Sequence, residues 1–563
     1  MDLWKRDLPR RAVALFFVAL YLAGMLAGYA GGMDEITEVR ILYSNACEYA
    51  LRILGEDSAV YRRLAGEIEP ISRYVERDHG ISAYYPALPA LAALRMASGS
   101  AQHAGWIAWT FLLFMLGVVS LYGIARDLMR ASRRVSCAAA LLLYLSPRMF
   151  ASGHYNNKDA VLLALVLLTI WLGIRFLQRN RLRDALLFSI AGAFAANTKI
   201  IGAWFWGLFG LLYLFRHVRR GTLNGRIWRN GFAAIGAFLA AYLLLTPAAW
   251  ADPVGFFRYL IGNSASFSRW NGFILFEGRL LHVPKSDRLP WYYLPKLIAM
   301  TTPLSVLALS TAGIAQLVAQ TVRGRGVPEG EGDAVPVLWM ALFAYAVLLS
   351  IGMFGGMNLY DGWRHFYFMY GALMLLSAYA LVGVLRRLRG RGVRRAAAGL
   401  LAAYFCFQGV TIAVNHPLQD SYYNLVAAPA VEGNYETDYW AMCAPEVLER
   451  LVANRRRNPE LELSCYAATQ NRMLGGAMGL RTYPGVTIAE SMLEANYYVR
   501  MATQDNQLQR IYEDYAPETG DSYIAWVQEN YPLFREELDT NFHELFRVTA
   551  YGYEIATVYE RNG

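Results

Sequence analysis

Long uncharged runs separated by arginine clusters constrain this chain more than any other feature. The first, from about Ala12 to Ala30, is long enough to cross a hydrocarbon core as a helix, and Gly31-Gly32 are expected to end it. It is too long, and too bare of a small-residue cleavage site, for a removed signal peptide, so it reads as a span. Similar runs recur as far as Val414, and about 11 spans are predicted. With 56% hydrophobic residues in 563, the chain is too apolar for an ordinary soluble enzyme. The net charge of +9 comes from clusters such as Arg126 to Arg134, Arg216 to Arg229 and Arg386 to Arg395, which lie between alternate runs. That is the topogenic pattern of a membrane protein, and nucleic acid is not expected as a partner.

Lys5, Arg6, Arg10 and Arg11 precede the first run, so the N-terminus is predicted to be cytoplasmic and Asp34-Glu35 to lie on the outer face of the plasma (inner) membrane. Two shorter runs, Ala185 to Ala196 and Ile200 to Phe215, are hinged at Asn197-Thr198-Lys199. Ala251 to Pro295 forms a long outer loop, ending Leu289-Pro290-Trp291-Tyr292-Tyr293-Leu294-Pro295. Beyond Asn415 nothing is apolar enough to cross. The expectation is a mainly α, polytopic membrane domain over 1–415 and an extracytoplasmic α/β domain over 416–563. In that tail Pro445 to Arg456 reads as a helix, and Glu462 to Ala467 and Glu544 to Tyr559 read as strand. The five cysteines have no metal-ligand spacing, and Cys443 and Cys465 could pair in an oxidising compartment. Gly324 to Gly332 is a glycine-rich linker, and no repeat is visible.

Four outer segments carry ionisable groups: Asp34-Glu35, Lys158-Asp159, Glu277 to Arg288, and Asp361 with Arg364 and His365. Charged groups at membrane depth are expensive, so they tend to line wet, working cavities. The plainer readings are a capping and ion pair for Asp361 and Arg364 at i, i+3, a snorkelling anchor for Lys158-Asp159, and satisfied interfacial histidines for His154 and His365. The functional reading is a carboxylate that takes a proton from an attacking hydroxyl while cations hold a phosphate leaving group. No GxxxxGK[ST] loop, HExxH or GxSxG is present, which argues against a nucleotide-driven pump, a zinc peptidase and a serine hydrolase. A carrier or flippase of a lipid-linked sugar would use the same cations without needing a base.

The acidic pair after the first span, Ser146-Pro147-Arg148 through Asn156-Asn157-Lys158-Asp159, the Leu289 to Pro295 loop, Tyr360-Asp361-Gly362-Trp363-Arg364-His365 and Asp438-Tyr439-Trp440 together carry a resemblance. The chain resembles bacterial membrane glycosyltransferases of the GT-C superfold, and is similar to the protein O-mannosyltransferase and aminoarabinose transferase group (glycosyltransferase family 39-like). The resemblance implies inverting transfer of a sugar from a polyprenyl-phosphate donor, with Asp34 as base, Glu35 assisting and Asp159 shaping the site. It further implies Lys158, Arg364 and His365 at the donor phosphate, and His154, Tyr360, Asp361 and Tyr292 against substrate. Some relatives couple the scaffold to a bound metal. No dedicated ligand set is visible here, so no metal is expected to be obligatory, although a divalent ion stays open. The acceptor is left as protein, glycan or lipid, with membrane lipid around the spans.

Overall fold

The fold is that of a computed structural model, which describes residues 7–29, 34–265, 270, 272–283, 287–323, 334–457, 462–468, 471–480, 483–515 and 521–562. Gly31-Gly32 and the glycine-rich linker fall outside the described residues, as do parts of the Ala251 to Pro295 loop. The first helix, Arg10–Ala27, closes before the predicted Ala30, because Gly28 turns the chain at φ 67°, where a side chain would be strained.

Among the described residues, eight helices are long and apolar enough to cross a membrane: Arg10–Ala27, Gly99–Asp127, Asp159–Arg179, Gly225–Leu245, Leu304–Arg323, Ala334–Phe354, Arg364–Arg387 and Arg391–Val414. A ninth crossing is a pair, Arg133–Tyr144 and Pro147–Tyr155, bent by 73°. The bend falls at Ser146-Pro147, since proline has no N–H to continue one helix but fits the first turn of the next. The remaining two predicted spans are Leu182–Thr198, of 17 residues, and Gly202–Arg219, whose last turn is basic; neither is apolar enough over a full crossing to qualify alone.

Gly99–Asp127 and Asp159–Arg179 form the centre of the bundle. They approach so closely that a Cβ on Gly117 would lie 2.8 Å from the Ala164 Cα. Arg10–Ala27 and Arg391–Val414 are peripheral: only 11% of each is buried, and apolar side chains such as Leu22 and Phe407 face outward, as lipid contact requires. The central helices begin at one end of the bundle and close in basic turns at the other, where Arg386 Nη2 donates to the Arg130 carbonyl at 2.9 Å.

The tail builds a five-stranded sheet from β3 (Leu463–Tyr466), β4 (Val486–Ile488), β5 (Tyr497–Met501), β6 (Phe542–Ala550) and β7 (Tyr553–Arg561), in the order β4-β3-β5-β7-β6. β3 runs parallel to β4 and β5, while β7 pairs antiparallel with β5 and β6. The single strand-like run Glu544 to Tyr559 is thus two strands, folded back at Tyr551-Gly552 with φ of 53° and 90°. Cys443 and Cys465 are separate buried thiols.

The long outer loop folds too. It contains the helix Pro253–Ala265 and a hairpin of β1 (Gly272–Phe276) and β2 (Arg279–Val283). Phe273, Leu275 and Leu280 of the hairpin pack with Leu508, Ile511 and Val527 of the tail. Residues between 416 and 443 lie against the membrane helices: Tyr29 donates to Gln419 Oε1 at 2.7 Å, and Asn424 N–H to the Met300 carbonyl at 2.8 Å. This stretch carries Asp438-Tyr439-Trp440 to the open end of the bundle.

Candidate active site

Arg364 is the hub of that end. Its Nη1 lies 3.1 Å from Asp34 Oδ2, and its Nη2 lies 2.9 Å from Asp361 Oδ2. The guanidinium also stacks over Trp440 at 4.7 Å and Tyr360 at 5.2 Å. Asp34 directly precedes the helix Glu35–Leu54, and its side chain remains 45% exposed, so the carboxylate is held yet reachable. Asp361 and Gly362 both take positive φ, 55° and 66°, which folds the chain so that the i, i+3 carboxylate meets the arginine. Burial pushes the Asp361 carboxyl up to about 6, against the pull of Arg364 and with a further push from Asp34. Tyr360 lies flat on Trp270 at 4.4 Å, and His365 meets its edge at 4.6 Å.

A second set of charges adjoins the first. Asn156 Oδ1 accepts the backbone N–H of Asp159 at 2.8 Å, capping the central helix, and Asn156 Nδ2 donates to Asp159 Oδ2 at 3.2 Å. Lys199, from the hinge between the two shorter helices, pairs with Asp159. That hinge is tight: a Cβ on Gly202 would lie 2.3 Å from the Ala195 carbonyl carbon. Lys158 pairs with buried Glu38, and its Nζ lies 2.8 Å from His79 Nδ1. His365 and Arg364 both act electrostatically on Asp159, which ties the two sets together.

Three residues expected at the site are placed elsewhere. Glu35 turns from Asp34 to His103, whose Nδ1 lies 2.8 Å from both carboxylate oxygens, because successive helical residues point in directions about 100° apart. His154 is a packed histidine: its nitrogens face the Phe150 and Gly24 carbonyls at 2.9 and 3.2 Å, and its ring lies between Phe111 and Tyr29 at 4.0 and 4.3 Å. Tyr292 donates to Glu277 Oε2 at 3.0 Å, while its buried neighbour Tyr293 reaches the site by donating to the Gly362 carbonyl at 3.0 Å. Glu38, Lys199 and Trp440 are not among the site residues expected from the sequence, although Lys199 falls at the predicted hinge and Trp440 in a motif that carries the resemblance. Glu38 lies one helical turn beyond Asp34, a signal that was available; Lys199 looked like a hinge residue, and the place of Trp440 depends on tertiary contacts.

Of the buried side-chain nitrogens that have no hydrogen-bond partner among the described residues, four adjoin these charges: Asn157 Nδ2, Arg364 Nε, His365 Nε2 and Trp440 Nε1. Each comes from one of the segments that converge here. Unpaired buried donors cost roughly 1–3 kcal/mol apiece, which a ligand rich in oxygen acceptors would offset. Among the described residues, the group spaced to hold a cation is Glu76, Asp78 and His79, with ligand atoms within 4.8 Å of one another. Its histidine already faces the Lys158 ammonium, which disfavours a cation there.

Behind the site, Glu436 is buried and accepts from Gln507 Nε2 at 3.1 Å; burial, aided by Asp361, pushes its carboxyl up to about 8. The unfolded carboxyl releases its proton near 4.5, so the folded state is favoured below that value and loses stability as pH rises towards about 8. Glu436→Gln copies the protonated form. Its Tm is expected to vary less than wild type across this window, and equal slopes would show that Glu436 is already ionised at neutral pH.

Among the described residues, a bundle of eight to nine candidate spans, with carboxylates and cations collected at one end beside a sheet-bearing tail, defines a polytopic membrane protein. Residues 83–250 match the model of the family described as dolichyl-phosphate-mannose-protein mannosyltransferase, a stretch that contains Lys158, Asp159 and Lys199. The match covers less than a third of the chain. Among solved structures, the chain is similar to ArnT from Cupriavidus metallidurans in the apo state, with 15% identity, 98% of each chain covered and a TM-score of 0.43. The same protein bound to undecaprenyl phosphate matches at 13% identity over 97% of each chain, also at 0.43. The archaeal oligosaccharyltransferase AglB from Archaeoglobus fulgidus, in complex with an inhibitory peptide and a dolichol-phosphate, matches at 11% identity over 97% of this chain and 74% of that one, with a TM-score of 0.45. No curated protein sequence matches the chain.

Proposed function

We propose that the protein transfers a sugar from a polyprenyl-phosphate donor to an acceptor hydroxyl at the extracytoplasmic face, with inversion. The observation that carries this reading is the set of four buried donors without a partner among the described residues, one of them on Arg364, beside two lysines and next to a carboxylate that is half exposed. Such a set suits a phosphate that gains charge as it leaves. The acceptor oxygen attacks the anomeric carbon, the bond from that carbon to the phosphate oxygen breaks, and the phosphate departs with the electron pair. Asp34 takes the hydroxyl proton. Arg364 holds the base in place through Nη1 and turns Nε towards the phosphate, while His365, Asn157 and Trp440 complete the donor set. Lys158 and Lys199 add positive field from their pairs with Glu38 and Asp159. The family match over 83–250 supports a polyprenyl-linked donor, and so does the topogenic reading, which places the site across the membrane from cytoplasmic nucleotide sugars.

Purified protein free of lipid carriers is expected to transfer sugar from a polyprenyl-phosphate sugar, to do so undiminished in EDTA, and to be inactive with nucleotide sugars. Efficient transfer from a nucleotide sugar would overturn the donor, and loss in EDTA would show that a metal is required. A carrier for the same lipid would bind the donor without releasing sugar from it.

A further inference from the structure

One residue along the chain from Asp34, a separate cavity of about 420 Å³ opens, within the size range of small-molecule pockets. Its polar wall is made by Glu35, Arg40, Tyr43, Glu67, Arg95 and His103. These groups are built into a network: Glu35, only 4% exposed, meets His103; Arg95 Nη2 donates to Glu67 Oε2 at 2.9 Å and lies over the Tyr43 ring at 5.1 Å; Gln102 Nε2 donates to the Tyr43 hydroxyl at 3.3 Å. Ile36, Val39, Leu64 and Ile68 supply an apolar wall. Gly479, from the tail helix Asn471–Leu480, closes one side, and a Cβ there would lie 3.8 Å from Ile36 Cδ1.

The charges in this wall balance, two arginines against two glutamates, so the cavity lacks the excess positive field that a phosphate would need. Its carboxylates, guanidiniums and amide nevertheless offer many directed hydrogen bonds, since an ionised carboxylate alone has about four acceptor positions. Apolar surface opposite a hydrogen-bonding rim matches a sugar ring, whose C–H faces are apolar and whose edge is hydroxylated. Arg364 pairs with Asp34, and the cavity wall begins at the next residue, Glu35.

We infer that this cavity is the acceptor subsite and that it takes a neutral saccharide, held between Glu35 on the membrane domain and Gly479 on the tail. The inference rests on the proposed transferase reading. It gives the tail a part in acceptor choice, and it gives Glu35 a binding role in place of a share in proton transfer.

The test is calorimetric titration of the full-length purified protein with a panel of neutral hexose and pentose disaccharides, a serine-containing hexapeptide, and undecaprenyl phosphate. A disaccharide is expected to bind. Gly479→Trp, which fills the cavity from the tail, should weaken that binding at least about tenfold while leaving undecaprenyl phosphate binding unchanged. Gln102→Ala, a milder change in the cavity wall on the membrane domain, should weaken it in the same direction and covers the case in which the tryptophan variant fails to fold. Failure of every saccharide to bind, equal saccharide affinity in wild type and variants, or binding of the hexapeptide that Gly479→Trp abolishes would overturn the inference. Because this titration needs no transfer, the two readings fail separately. Saccharide binding without transfer from any polyprenyl-phosphate sugar would sink the transferase alone, whereas transfer that Gly479→Trp leaves intact would sink the subsite alone.

Discussion

Asp34→Asn is expected to reduce turnover by roughly 100-fold to 10,000-fold, the range associated with loss of a positioned general base. Asparagine keeps the size of the side chain and can still accept from Arg364 Nη1, so the local fold should survive. It cannot take the acceptor proton. Donor binding is expected to hold or tighten, because Arg364 gives up one of its two anionic partners and more of its charge becomes available to the phosphate. The measurement is a pair: single-turnover rate with saturating polyprenyl-phosphate sugar, and equilibrium binding of polyprenyl phosphate alone. Near-normal turnover would remove Asp34 from the chemistry and leave Asp361 or Asp159 as the carboxylate to examine.

The second large effect is expected at Arg364→Lys, which keeps the charge and removes the fork. Arg364 holds Asp34 with one terminal nitrogen and Asp361 with the other, stacks over Trp440, and has its Nε unpaired and buried. A lysine ammonium is a single point that cannot span both carboxylates and also serve a ligand. Loss of one charge-assisted hydrogen bond costs roughly 1.5–3 kcal/mol, so donor affinity should fall on the order of 10-fold to 100-fold. Turnover should fall further, as Asp34 loses its fixed position. Donor affinity within twofold of wild type would mean that the phosphate is held by Lys158 and Lys199, with Arg364 serving only the carboxylates.

These two residues show where local sequence stops being informative. The topological reading needed only hydropathy and the arginine clusters, and the eleven apolar runs do become helices: among the described residues eight are able to span alone, one continues across the Pro147 bend, and two are the shorter helices Leu182–Thr198 and Gly202–Arg219. The placing of Asp34 just past the first run was legible for the same reason, whereas the helix Glu35–Leu54 that it precedes was not predicted. The Asp361 and Arg364 pair was also legible, being local at i, i+3. The fold at Tyr551-Gly552 that divides Glu544 to Tyr559 was legible only in hindsight, since a glycine inside an alternating run can signal a bulge as well as a turn.

By itself the sequence determined the membrane character, the order of the spans, the gathering of carboxylates opposite the basic loops, and the mixed α/β character of the tail, all of which follow from composition within short windows. Tertiary structure alone decided which charges meet. The Asp34 to Arg364 contact joins residues 330 apart, and Trp440 arrives from beyond the last span. Tertiary packing likewise decided that Glu35 faces His103, that His154 is spent on backbone carbonyls, and that Tyr293 rather than Tyr292 reaches the site. The physical reason is that helical periodicity sets the direction of a side chain only relative to its own axis. What it then meets depends on how the helices are rotated and packed against one another, and no local window of residues contains that information.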